Sequence, residues 1–143
     1  MVTREAEWRA RWEELEQTGG HSPVHGVMGV KLVSLTPTIL TMELSDAVRG
    51  AAPGSVHGGL LATFADAASA VALWDAHDNT ELPVTTDMHV RYYRQPHSGP
   101  LTAEAQVVHR GRRLLSTECS VSDAEKRILV RSTATYMVVP RGG

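Results

Sequence analysis

A chain of 143 residues, 42% hydrophobic and 21% charged, has the balance of a globular domain and is too short for two comfortable cores. Its formal charge of -2 argues against nucleic acid as the main partner, and its single cysteine excludes an intramolecular disulfide framework. The amino-terminal residues are charged and lack an apolar signal core, and the longest apolar stretch, residues 60–74, is broken by Asp66 and too short for a bilayer, so the expectation is a cytoplasmic protein of one domain, residues 1–143, without membrane contact.

In chain order, residues 3–18 read as a helix with Trp8, Trp12 and Leu15 on one stripe, ended by Gly19-Gly20. Residues 1–20 are therefore expected as a helical extension that docks on its own domain or on a neighbouring subunit. Residues 21–27 read as a turn or short helical segment, followed by strands near 28–36 and 38–45 and a loop over 46–55. A long apolar helix follows at about 57–76. Four strands complete the chain, near 84–94, 101–109, 113–122 and 127–139, the last alternating through Ile128, Val130, Ala134, Tyr136 and Val138. Short connections predict an antiparallel meander. A helix apolar nearly all round cannot lie on a surface, so the sheet is expected to curl about it, an α+β layout. Such a sheet leaves an open edge, and self-association is expected.

Two features of the central helix carry chemistry. Asp66 is the only charged residue in 60–74. An isolated carboxylate there needs a partner or a function. It is either a structural residue held by a nearby hydroxyl, Thr63 or Ser69, or a catalytic acid in a pocket that raises its pKa. The other feature is Ser55-Val56-His57-Gly58-Gly59, which puts two glycines in the first turn, where backbone N–H groups lack partners and the helix dipole favours negative charge. Gly58 and Asp66 lie eight residues apart, about 12 Å along a helix at ~1.5 Å per residue. Both cannot reach one carbonyl from the same copy of the helix. If both act, the acid comes from a second helix packed antiparallel across a two-fold axis.

The run His57-Gly58-Gly59-Leu60-Leu61-Ala62-Thr63-Phe64-Ala65-Asp66 resembles the signature of the PaaI-type hotdog acyl-CoA thioesterases. The likeness continues through Val84-Thr85-Thr86-Asp87-Met88-His89-Val90 and Tyr92-Tyr93-Arg94-Gln95-Pro96 and spans residues 22–139. It implies a hotdog fold, with a curled antiparallel sheet wrapped around one long helix, and hydrolysis of an acyl-CoA thioester. It also implies a homodimer, often paired into a tetramer as a dimer of dimers, with the CoA arm along the subunit surface. By that resemblance the Gly58 N–H polarises the thioester carbonyl, Asp66 of the partner subunit is base or nucleophile, and Thr85 orients the attacking water. His57 and Gly59 are expected at the substrate-binding rim, with His57 read as a ligand contact or general acid, or simply as a cap of the helix start. One departure is Ala51, seven residues before Gly58, where many members carry asparagine or glutamine. It motivates an alternative, a non-catalytic acyl-CoA binder. A hydratase reading is weaker, because the position five residues after Asp66 is Val71, not histidine.

Neither metal nor cofactor is expected: the histidines lack tight ligand spacing, and His21 and His25 stand in a turn. Cys119, in an alternating strand, reads as a small buried hydrophobe. Arg91, Arg94, Arg110, Arg112 and Arg113 suit a small anionic ligand or a solvated face.

Overall fold

The computed structural model describes residues 1–18 and 22–142. The Gly19-Gly20 stop and His21 lie outside them. Among these residues, three α-helices, α1 (Arg4–Thr18), α2 (Pro23–Met28) and α3 (Gly58–Val71), and a single 3-10 turn (Asp46–Val48) accompany six strands: β1 (Lys31–Leu35), β2 (Thr38–Met42), β3 (Glu81–Tyr92), β4 (Leu101–Arg110), β5 (Leu114–Ser122) and β6 (Ile128–Pro140).

All six strands form one antiparallel sheet in the order β1-β2-β4-β5-β6-β3. Only β4-β5-β6 is the expected meander. β3 does not neighbour β4; it pairs with β6 at the far edge, while β4 returns to pair with β2. The cause is α3, which crosses the concave face between β2 and β3, touching β2 through β6 on the way. The chain leaving α3 thus enters the sheet on the opposite side. α3 ends at Val71, with turns over 72–75 in place of the expected last helical turn.

Strand alternation builds the wall around α3. Ala103 and Ala105 of β4, Thr117, Cys119 and Val121 of β5, and Val130, Ser132, Ala134 and Tyr136 of β6 are buried, and the residues between them are more exposed. The alanines of α3 let the sheet close in, and Phe64 fills the space between as a fully buried side chain. Burying such a ring contributes about 1.5–3 kcal/mol. Gly111 closes the β4–β5 hairpin, its N–H bonded to the Leu114 carbonyl at 2.9 Å, and a Cβ there would lie 2.6 Å from that same oxygen.

α1 docks on its own domain. Trp8 and Trp12 stack with centroids 5.5 Å apart, Trp12 buries in the main core, and Arg9 donates to the Val33 carbonyl of β1 at 3.3 Å. Arg4 and Arg11 tie the outer face to His77 and Asn79 beyond α3. Among the described residues no helix is long and apolar enough to cross a membrane.

Candidate active site

His57 occupies the N-cap of α3 in an extended conformation, and its Nδ1 accepts the Gly59 N–H at 3.0 Å. The N–H groups of Leu60 and Leu61 both reach the His57 carbonyl, at 3.0 and 3.1 Å. Among the described residues, the Gly58 N–H alone of this first turn meets no acceptor. The loop carrying it is held firmly. Gln95 accepts from Val56 N–H at 2.8 Å and donates to the Val56 carbonyl at 3.4 Å, and the Tyr92 hydroxyl donates to the Gly58 carbonyl at 2.7 Å.

The two glycines differ in why they are small. A Cβ at Gly59 would stand 2.9 Å from the His57 ring, so the cap itself requires glycine there. A Cβ at Gly58 would make ordinary contact with the Tyr92 ring at 3.6 Å, so internal packing does not require it.

Two turns along the helix, half-buried Asp66 points toward the junction of β3 and β6. Its Oδ1 accepts two hydroxyls, Thr85 Oγ1 at 2.9 Å and Tyr136 Oη at 2.6 Å. Thr85 and Tyr136 are direct cross-strand partners, and a bulge between Thr85 and Asp87 interrupts the ladder beside them. Such bulges bend a strand and re-aim its side chains. The phenol of Tyr136 is pushed well above its ordinary range, first by burial and then by the Asp66 carboxylate, so it remains a donor. Among the described residues no hydrogen bond reaches Asp66 Oδ2.

The donors are not the ones that helical proximity picks out. Thr63 bonds back to the Gly59 carbonyl at 2.9 Å, and Ser69 is fully buried without a bond to Asp66. The family resemblance places Thr85 in the site, whereas the sequence pattern shows Tyr136 only as one position of a strand alternation. Its signal, one phenol on a strand face of small and aliphatic residues, is weak until the β3–β6 pairing is known.

The basic residues do not form one cluster. Arg110 lies level with Thr85 through the ladder Arg110–Leu115–Tyr136–Thr85 and pairs with Asp75 at 2.8 Å. Arg91 is six residues further along β3, roughly 20 Å away at ~3.3 Å per residue. Cys119 is buried, its thiol pushed up to about 12 by burial and then by Glu104, in keeping with a packing role. A groove of about 620 Å³ between the β1–β2 turn, the end of α3 and β4 contains neither Gly58 nor Asp66.

A family model described as the thioesterase superfamily matches residues 53–130, from the loop before α3 into β6. The chain belongs to the thioesterase superfamily. The superfamily match takes in Gly58, Asp66 and Thr85 but stops short of Tyr136. A curated protein of Saccharolobus solfataricus, named as an esterase, is 26% identical over 85 residues, covering 59% of this chain and 56% of that protein. The match thus spans little more than half of that relative. Among solved structures, a thioesterase of Haemophilus influenzae superposes with a TM-score of 0.79 at 21% identity, covering 90% of each chain. A Bacillus halodurans protein solved with CoA gives 0.78 at 16% identity, covering 97% of this chain and 93% of that one. At such identities the likeness is one of fold, and it is the hotdog fold of this superfamily: a curled six-stranded antiparallel sheet about a central helix.

Proposed function

We propose that this protein is a PaaI-type thioesterase that hydrolyses an acyl-CoA thioester to free acid and CoA as a homodimer, able to pair further into a tetramer. The observation that carries the reading is the pairing, on one helix, of a Gly58 N–H and an Asp66 Oδ2 that both lack a partner among the described residues. The Gly58 N–H, with the helix dipole behind it, stabilises charge on the thioester oxygen as it becomes tetrahedral. His57 and Gly59 form the rim, and a side chain at Gly58 would add bulk where the carbonyl must approach.

Separation along α3 means the acid comes from Asp66 of the partner subunit. The edge supports this: among the described residues β3 has no neighbour beyond β6, and Val84 and Tyr92 on it are 41% and 50% exposed. A second β3 laid against it would bring the two helices together near the hydroxyl-held carboxylates. Thr85 spends its hydrogen on Asp66 Oδ1, so it faces a water as an acceptor. That favours a general-base route. Water held by Thr85 Oγ1 and Asp66 Oδ2 loses a proton to Oδ2 as its oxygen bonds the acyl carbon. The C–S bond then breaks, and the proton leaves with CoA as its thiol. CoA bound to the Bacillus halodurans relative supports the choice of thioester.

A second reading rests on Ala51, an exposed loop residue that offers no polar group to the site. A protein lacking one such contact could bind acyl-CoA without cleaving it. Incubation with an acyl-CoA panel and a thiol-trapping reagent separates the two. Catalytic release of CoA thiol, lost in Asp66→Asn, is expected. Tight binding of acyl-CoA with no thiol released across the panel would favour the binder.

A further inference from the structure

We propose that Tyr136 is a positioning residue that fixes the Asp66 carboxylate and thereby makes Oδ2 the oxygen that works on the thioester. The proposal rests on the reading of Asp66 as the acting acid and adds a residue beyond the span of the superfamily match. Its hydroxyl lies 2.6 Å from Asp66 Oδ1 and 3.1 Å from the main-chain carbonyl of the same residue, bridging side chain and helix. The ring around it is fully buried among Leu73, Leu115 and Ala134. Packing alone would be served by phenylalanine, and a buried hydroxyl without a partner is costly. The phenol is therefore matched to the carboxylate.

The argument extends to orientation. Each carboxylate oxygen offers about two lone-pair sites. Tyr136 and Thr85 together occupy those of Oδ1, while among the described residues Oδ2 keeps both. Two donors on facing strands also prevent the rotation that would exchange the oxygens. The clamp comes from the register itself, because Thr85 and Tyr136 are opposite residues in the β3–β6 ladder. Since the Tyr136 hydroxyl is buried and held above its ordinary range, it gives a hydrogen bond and takes no proton from the reaction.

Tyr136→Phe keeps the ring and removes one of the clamp's two donors, leaving Thr85 alone on Oδ1. In the full-length protein, with the acyl-CoA that wild type turns over fastest, kcat is expected to fall roughly ten- to a hundredfold with KM within twofold, as misplacement of a catalytic group does. A double-mutant cycle supplies the control: in an Asp66→Asn background, Tyr136→Phe should cost little more, because the group it orients is gone. A kcat within twofold of wild type in a folded Tyr136→Phe protein overturns the proposal and leaves the thioesterase reading intact. Equal losses in both backgrounds also overturn it, since they mark damage to the fold. If Tyr136→Phe does not fold, Tyr136→Met, which also lacks the hydroxyl, takes its place in the cycle with the same expectations. A wild type that cleaves no acyl-CoA overturns the thioesterase reading and this proposal together.

Discussion

Asp66 and Asp123 both accept hydrogen bonds from elements distant in sequence, yet they are satisfied in opposite ways. Asp123, 2% exposed in the β5–β6 turn, uses both oxygens. Oδ1 takes the N–H groups of Glu125 and Arg127 at 3.1 and 3.0 Å, and Oδ2 takes His97 N–H and Arg127 Nε at 3.2 and 2.9 Å. Burial works to raise its pKa, but the backbone donors at His97 and Arg127 and then the guanidinium outweigh it, bringing the carboxyl from 3.8 to about 2. Asp66 is half-buried, has no cation bonded to it, and keeps one oxygen unbonded among the described residues. The fully satisfied acid is a fold device; the half-satisfied one is where chemistry is expected. Unspent valence, more than burial, separates the two.

The sharpest way to break this contrast is to neutralise each acid. Asp66→Asn should lower kcat by roughly 10²–10⁴-fold, the contribution of a positioned base, while the melting temperature moves only a few degrees. Asp123→Asn should do the reverse. Steady-state assays at 25 °C should find kcat close to wild type, and thermal melts should fall by roughly 5–10 °C as a buried network is broken. If Asp123→Asn cost activity and Asp66→Asn cost stability, the assignment of roles would be inverted.

Acid titration sharpens the same point through linkage. The Asp123 carboxyl sits lower in the folded chain than in the unfolded one, so the unfolded state binds its proton first as pH falls. Its stabilising contribution is full above about pH 4 and disappears as pH drops toward about 2. Urea melts across that window should lose stability in the wild type and lose distinctly less in Asp123→Asn. Parallel curves for the two proteins would remove Asp123 as a source of acid sensitivity.

Legibility in the sequence followed the range of the interactions. α3 is readable because residues 60–74 are apolar nearly all round with Asp66 the only charge, and the strands because their alternation is local. Gly58 stood out for the same reason, as a glycine in a first helical turn. What stayed hidden depends on sheet order. Short connections predict that β3 neighbours β4, whereas α3 carries the chain across the sheet to β6. Only that crossing brings Tyr136 opposite Thr85, 51 positions away in sequence, and so to Asp66. Helical spacing offered Thr63 and Ser69 as donors, but Thr63 satisfies its own helix by bonding back to Gly59, a common fate of a mid-helix hydroxyl.

The smallest expected effects come from the two glycines of α3. Replacing either with alanine removes freedom from the unfolded chain, which stabilises by about 0.4–1 kcal/mol where the geometry allows. At Gly58 the new methyl rests against Tyr92 at 3.6 Å, so Gly58→Ala should melt at or slightly above wild type. At Gly59 the methyl would sit 2.9 Å from the His57 ring, which must swing away and release the Gly59 N–H. Loss of an N-cap costs about 1 kcal/mol, so Gly59→Ala should melt below Gly58→Ala by the equivalent of roughly that amount. Activity should order the pair differently. If a thioester carbonyl must come close to the Gly58 backbone, Gly58→Ala lowers kcat/KM although the protein is no less stable. A Gly58→Ala protein with wild-type kcat/KM would show that close approach at this residue is not needed. The free N–H would then be a helix end open to water.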